Sequence, residues 1–405
     1  MRAQDAIVVG GGLIGLAAAA ALGSAGLRVA LLDRRAKAAL ADADFDGRTT
    51  AVAFASRRML DAIDAWRHVG DAAEPIRAIE VREGFSPRSV RYGGLPSGEP
   101  MGHIVPNGDL RRSLLAAAEA CPGVTIEAPA TITGIRRERD AAHVDLADGR
   151  SLSASLVVAA DGKFSGTRRD AGIKTLHWRY GQTGLVCTLG HERPHGGLAV
   201  ERFFPDGPCA VLPMTGNRVS IVWALDDAKA SGVVRLPDES FVRVLADRVG
   251  EGLGALHLAG PRYHFPLSLV HARALTASRL ALVGDAARGI HPIAGQGWNV
   301  GLRDVAALAE VVSDAVRRGR DPGGPAVLAR YARWRRFDSL ALVAVTDGLT
   351  RLFSNDVMPL RLARDLGLGM VERIAPLKRI FMFHAMGELG DLPPLLRGMP
   401  LRPVA

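Results

Sequence analysis

The first apolar run of the chain, Ala6-Ile7-Val8-Val9, is continuous rather than alternating, which predicts a strand buried on both faces of a parallel sheet. A tight turn from Gly10 to Gly15 follows. Ile14 to Ala25, rich in Ala and Leu, then reads as a helix closed by Gly26, and Arg28 to Leu32 as the second strand. Leu110 to Ala120 has helical texture. His143 to Leu146, the dipeptide Asp148-Gly149 and Ser151 to Ser155 predict a hairpin, and Leu156 to Ala160 another buried strand. From about 179 to 274 the runs Ala199–Phe204, Cys209–Met214 and Val219–Ala224 are strand-like and divided by turn residues, which predicts a mainly antiparallel sheet in a second domain. Leu280 to Val283 returns to the buried-strand pattern. A long helix is expected from about Asn299 to Arg318, stopped by Gly319 and Pro322, and the remainder from 326 to 405 is helical in texture.

With 405 residues, 48% hydrophobic and 23% charged, the chain is globular and long enough for two or three domains. Its net charge of +9 comes from 51 basic residues, only 5 of them Lys, and they fall in scattered pairs rather than one stripe. That Arg bias resembles a GC-rich bacterial genome. Aromatic content of 5% leaves few stacking platforms, so nucleic-acid binding is not expected. Cys121, Cys187 and Cys209 form no C-x-x-C pair and no disulfide framework, which fits a reduced cytoplasmic protein; no metal site is expected. No stretch approaches ~18 uninterrupted apolar residues. Met1 to Asp5 lead straight into the first strand, leaving no room for a signal peptide.

Gly10-x-Gly12-x-x-Gly15 stands between a predicted strand and a predicted helix, the context a dinucleotide fingerprint needs. Gly10 permits the turn, Gly12 lets backbone approach a pyrophosphate, and Gly15 permits close helix–strand packing. Asp33 ends the second strand about 20 residues on, where a carboxylate can accept from ribose hydroxyls and disfavours a 2′-phosphate. A second constellation, Ala160-Asp161-Gly162 through Arg168, begins where a buried strand ends. The third is Gly284-Asp285-Ala286-Ala287-Arg288-Gly289-Ile290-His291-Pro292-Ile293-Ala294-Gly295-Gln296-Gly297-Trp298-Asn299, continuing to Asp304. Here Asp285 ends a buried strand, and Gly295-Gln296-Gly297 opens the long helix so that backbone N–H groups and the helix dipole face one point.

Together these segments resemble the class A FAD-dependent aromatic hydroxylases, and most closely the ubiquinone-biosynthesis hydroxylases of the UbiH/VisC type. The likeness extends to Gly47-Arg48-Thr49-Thr50-Ala51, to His103 through Asn107, and to Tyr331 through Arg336 with Thr346 to Leu349 and Leu352 to Ser354. Departures are Arg288 where many relatives carry His, Trp298 where Leu is common, and Asn107 where more distant hydroxylases carry Arg.

The resemblance implies an α/β fold: a Rossmann-like FAD-binding domain of the para-hydroxybenzoate hydroxylase kind, an inserted antiparallel-sheet substrate domain, and a helical C-terminal region. The expected segments are 1–70, 101–178 and 275–330 for FAD, 71–100 and 179–274 for substrate, and 331–405 at the C-terminus. It implies that NAD(P)H, docking transiently, reduces FAD, and that a flavin C4a-hydroperoxide hydroxylates a polyprenylated phenol on the way to ubiquinone. Gly10, Gly12, Gly15, Asp33 and Arg34 then meet the ADP half of FAD; Arg48, Asn107 and Asp285 meet the pyrophosphate and ribityl region. Asp161 and Arg168 lie near the pyrophosphate, and Pro292, Gly295, Gln296, Gly297, Trp298 and Asn299 near the ring. His264 and Pro292 are the candidates for a part in the chemistry. Further expected partners are O2, other ubiquinone-biosynthesis proteins, a second copy of the chain and the inner-membrane surface of a bacterium. The alternatives are a hydroxylase of a small soluble phenol, a geranylgeranyl-type flavin reductase, and a non-catalytic flavoprotein in a biosynthetic complex.

Overall fold

A computed structural model describes residues 4–41, 47–84, 86, 89–93, 98–289, 296–336 and 374–404. Pro292 and Gly295, and the C-terminal motifs at 346–354, lie outside the described residues.

The continuous apolar runs form the centre of one sheet. Its parallel strands run in the order Leu280–Leu282, Ser151–Ala159, Gln4–Val9, Val29–Leu32, Val124–Glu127. Alternate residues of Gln4–Val9 enter two different cores. Ala6 and Val8 face the layer built by helices Leu13–Ser24, Asn107–Glu119 and Gln296–Arg317. Ile7 and Val9 face the antiparallel strands Ile132–Arg137 and Ala142–Leu146. Both faces are covered, so the strand needs no polar alternation. The register pairs Val9 with Ala159 and Ala159 with Leu282, so the loops after all three strands leave the same sheet edge. In an open α/β sheet ligands bind at that edge.

The second sheet is larger and mostly antiparallel, in the order Arg288–Gly289, Tyr263–Ala272, Thr175–His191, Arg218–Asp226, Gly207–Met214, Leu198–Phe204, Ala78–Glu83, Ser89–Gly93. Strand side chains alternate between faces. Leu185, Cys187, Ile221 and Trp223 lie under helices Asp227–Val234 and Asp238–Val249. The opposite face carries Ala199, Leu212 and Met214, which pack on Ala51, Ile76 and Ile104 of a small sheet formed by Thr49–Ala53, Gly102–Pro106 and Glu74–Ile76. Thr49 Oγ1 donates to Ser220 Oγ of the same face at 3.1 Å. This is the α/β architecture expected, with the hairpin at 78–93 joining a sheet otherwise built from residues 175–289.

One buried charge network ties the third motif to the chain that follows the long helix. Asp304 is fully buried; Arg288 Nη1 donates to both its oxygens at 2.9 and 3.1 Å, Arg335 Nε donates to Oδ1 at 2.8 Å, and Gly284 N–H donates to Oδ2 at 3.1 Å. Tyr331, a turn before Arg335, donates to Leu282 O at 2.7 Å. Removing one member of a buried ion cluster leaves charge without compensation, at about 3–5 kcal/mol. Asp304→Asn is therefore expected to lose stability of that order in urea unfolding monitored by circular dichroism; a loss below about 1 kcal/mol contradicts this role.

Candidate active site

The glycine turn is built by close approach. A Cβ on Gly10, which has φ +105°, would lie 2.7 Å from Ala160 O, and a Cβ on Gly15 would overlap the carbonyl oxygen of Gly10. Gly12 is different: no heavy atom stands within 4 Å of where its Cβ would be. Its backbone thus opens on free space at the N-terminus of helix Leu13–Ser24, which no side chain caps. Uncapped N–H groups and the positive end of the helix dipole face that space, as a pyrophosphate requires.

Asp33 closes the cradle. Its Oδ2 accepts from Gly11 N–H at 2.6 Å, and Arg35 donates through its backbone N–H and Nε to Oδ1 and through Nη2 to Oδ2. Burial pushes this carboxyl up, but the bonds from Arg35 and Gly11 outweigh it and hold it below the ordinary value, so Asp33 stays ionised at neutral pH. Arg34 is exposed, and it is its neighbour Arg35 that folds back over the turn, reaching Gly11 O at 3.3 Å.

Asp285 leaves the same edge after Leu280–Leu282. Its side chain keeps access to solvent; the protein packed around it raises its carboxyl and Lys163 opposes the rise. Lys163 Nζ donates to Ser268 O at 2.7 Å, linking this loop to the second sheet. Asp161 caps the turn that follows it, accepting from Ser165 Oγ and from Thr167 N–H at 3.0 Å. Arg168, expected at a phosphate, is 4% exposed, and its Nη1 and Nη2 donate to Ala286 O at 2.7 Å and Lys163 O at 3.0 Å. It braces the second motif against the third, because both loops leave one sheet edge with buried carbonyls to satisfy.

On the other wall Asn107 opens helix Asn107–Glu119; its Oδ1 accepts from Thr50 Oγ1 at 2.7 Å and its N–H donates to Arg48 O at 3.0 Å. Arg48 itself is exposed. The Asn299 amide donates to Ala51 O at 2.8 Å and accepts from Ala53 N–H at 3.0 Å, so it locks the start of the long helix, with Gln296 and Gly297, onto strand Thr49–Ala53. Trp298 packs against the helical core, and its indole N–H has no partner among the described residues. Gly10, Gly12, Asp33, Asp285 and the Asn299 region therefore line surfaces that suit an elongated dinucleotide.

His264 follows Tyr263 on one strand, so the two side chains leave opposite faces of the sheet. His264 pairs with Leu185, whose side chain lies under helix Asp238–Val249, and it borders a cavity of about 320 Å³ with Val234, Phe241, Arg262 and Tyr263. Tyr263 instead presents its ring to Gly47, beside Arg48. This register turns His264 away from the FAD-binding half, which corrects its expected orientation. Arg35, the Asn299 locks and Asp304 are the residues that motif reading did not assign to these roles.

The two glycines make separable predictions. Gly12→Val is expected to fold normally, because its site is open, yet to weaken FAD binding at least about 100-fold, close to 2.7 kcal/mol. Gly15→Ala has no room and is expected to lose both thermal stability and flavin. Flavin absorbance after purification, FAD titration and melting curves check both; tight FAD binding by Gly12→Val contradicts the assignment.

Comparison with known proteins agrees with the geometry. A family model described as an FAD binding domain matches residues 3–344. Ubiquinone hydroxylase UbiL of Rhodospirillum rubrum is 48% identical over 403 residues, covering 99% of this chain and 94% of the relative. The 3-demethoxyubiquinol 3-hydroxylase of Escherichia coli is 34% identical, covering 94% of this chain and 97% of its own. Among solved structures, p-nitrophenol 4-monooxygenase PnpA from Pseudomonas putida matches with a TM-score of 0.79 at 18% identity, covering 96% of this chain and 99% of that one. At that identity the likeness establishes the fold. With a family model over residues 3–344 and relatives matching almost end to end, the chain belongs to the FAD-dependent monooxygenases of the ubiquinone-biosynthesis hydroxylase family.

Proposed function

We propose that this enzyme hydroxylates the aromatic ring of a polyprenylated phenol on the route to ubiquinone, with NAD(P)H as reductant and O2 as oxygen source. The full-length likeness to ubiquinone hydroxylase UbiL carries the reading. FAD, when bound, supplies the two-electron store and the means of activating oxygen. The chain's own contribution is placement and dryness. Gly10, Gly12 and Gly15 admit the pyrophosphate, Asp33 the adenosine ribose, and Arg48, Asn107 and Asp285 the middle of the cofactor. The centre of the sheet face opposite is apolar around one carboxyl, Glu201: Val186, Val222 and Ala210 line it, with no arginine among the described residues there. That apolar lining favours a prenylated ring over a small acid, which would need a cationic clamp.

The substrate tail also bears on where the enzyme works. No described helix is long and apolar enough to cross a membrane. Helix Ala375–Ala385 packs Met382 against the Phe54 and Tyr92 cluster, and Met386, just beyond its end, joins that cluster. Its outer side leaves Ile380 52% and Phe381 39% exposed beside Lys378 and Arg379. Apolar residues next to cations suit the surface of an anionic membrane, where a polyprenyl chain resides.

Two measurements test this reading. Purified enzyme with FAD is expected to oxidise NAD(P)H faster when a prenylated phenol is present, and to yield a product heavier by one oxygen atom; flavin-bound enzyme that makes no such product contradicts it. Flotation with anionic liposomes at low salt is expected to carry the wild-type protein and to fail for Ile380→Ser with Phe381→Ser. Equal flotation of both overturns the assignment of that surface.

A further inference from the structure

One carboxyl stands in the middle of the sheet face that looks toward the FAD-binding half. Glu201 pairs with Ala210, Ala210 with Val222, Val222 with Val186, and Val186 with Tyr263, so these residues form one row on one face. The side of the sheet is fixed independently. Arg202, the next residue, sends Nη1 to Arg248 O on the covering helix at 3.1 Å, and so points the other way. Ala199, one pleat from Glu201, packs with Ala51 and Ile104.

The row is clamped at both ends. Val81, paired with Glu201, and Val90 beyond it pack with Phe54, Met101 and Met386. At the far end the Tyr263 ring lies on Gly47. Gly47 and Phe54 bound the segment that holds Arg48 and receives the Asn299 amide. Glu201, Ala210 and Val222 lie between the clamps, facing that segment.

The Glu201 carboxyl has no hydrogen bond or ion pair among the described residues, and the residue is half-buried. Burial alone pushes its carboxyl up to about 8. The charges around it do not offset that rise. Arg202, Arg82, Glu80 and the Cys209 thiol belong to the opposite face, and Arg218 and Asp226 stand at the two ends of their strand. On the same face Glu83, opposite Phe203, is the acidic neighbour and Tyr263 ends the row, and Arg48 belongs to the segment across from it.

We propose that Glu201 meets the phenolic hydroxyl of the substrate and takes its proton as the ring is oxygenated. The proposal rests on the hydroxylase reading above. The O–H bond breaks, its electron pair stays on the ring oxygen and enriches the ring toward an electrophilic oxygen atom, and the proton resides on the carboxylate. It returns to the ring oxygen as the ring C–H proton is lost and aromaticity is restored, so no oxidant or reductant beyond O2 and NAD(P)H is needed. An ordinary phenol ionises near pH 10, within about two units of this carboxyl, a workable match for proton transfer.

The test compares wild-type holoenzyme with Glu201→Gln on two prenylated phenols, one ordinary and one made acidic enough by ring fluorination to be ionised at neutral pH. Product formation is followed from about pH 6 to pH 10, and phenol binding by flavin fluorescence. Wild type is expected to gain activity on the ordinary phenol through about pH 8, as the carboxylate forms. Glu201→Gln is expected to keep FAD and phenol binding, to lose about 100-fold in product formation at neutral pH, and to lose that limb. The acidic phenol is expected to return it to within a few-fold of wild type. Glu201→Asp, which retains the carboxyl, should keep the limb. Unchanged activity in Glu201→Gln, equal losses on both phenols, or loss of the limb in Glu201→Asp overturns the proposal. Wild-type enzyme that hydroxylates neither phenol overturns the hydroxylase reading itself, and this proposal with it.

Discussion

The carboxylate of Asp304 lies out of reach of solvent between the guanidinium groups of Arg288 and Arg335 and also receives the N–H of Gly284. Three stretches far apart in sequence meet there: the loop that presents Asp285, the long helix whose first turn carries Trp298 and Asn299, and the chain after it. Paired charges without water are costly to separate, so their relative positions are set firmly. Arg168 braces the same loop from the other side through Ala286 O. The wall that would meet the middle of the cofactor is thus held by residues that need not touch it.

The opposite wall is set by different physics. Ala199, Leu212 and Met214 of the second sheet pack on Ala51 and Ile104, and Thr49 bonds Ser220. Apolar packing and one hydroxyl pair fix that face on strand Thr49–Ala53. The row through Glu201, Ala210 and Val222 ends at Val81 and Val90, which pack beside Met382 of the C-terminal helix and Met386 just beyond it. The helix with outward Ile380 and Phe381 therefore adjoins the face where an aromatic substrate is proposed to lie.

Much of this was legible from sequence because backbone rules are local. Only glycine fits where Gly10 and Gly15 sit, and the apolar run before them needs both faces covered, so strand, turn and helix followed directly. The place of Asp33 was legible for the same reason, at the end of a strand of known length; its bonds from Gly11 and Arg35 were not. Side-chain destinations were not. Arg168 reads as a phosphate ligand until buried carbonyls of Ala286 and Lys163 claim it, and His264 faces helices because pairing with Leu185 decides its side. Asn299 reads as a ring contact, yet its amide completes strand Thr49–Ala53. Glu201 gave no signal at all: in Ala199–Phe204 it looks like any outward polar residue, and only the seven-strand row from Val90 to Tyr263 shows which way is inward.

The central claim is that this chain brings an activated oxygen atom to a phenol ring held between these two walls. Turnover of a prenylated phenol under isotopically labelled O2, with mass spectrometry of the product, tests it most directly. One labelled atom on the ring for each NAD(P)H used in product formation is the predicted result. Product carrying oxygen from water, or flavin turnover that yields only peroxide with every phenol, would contradict the account.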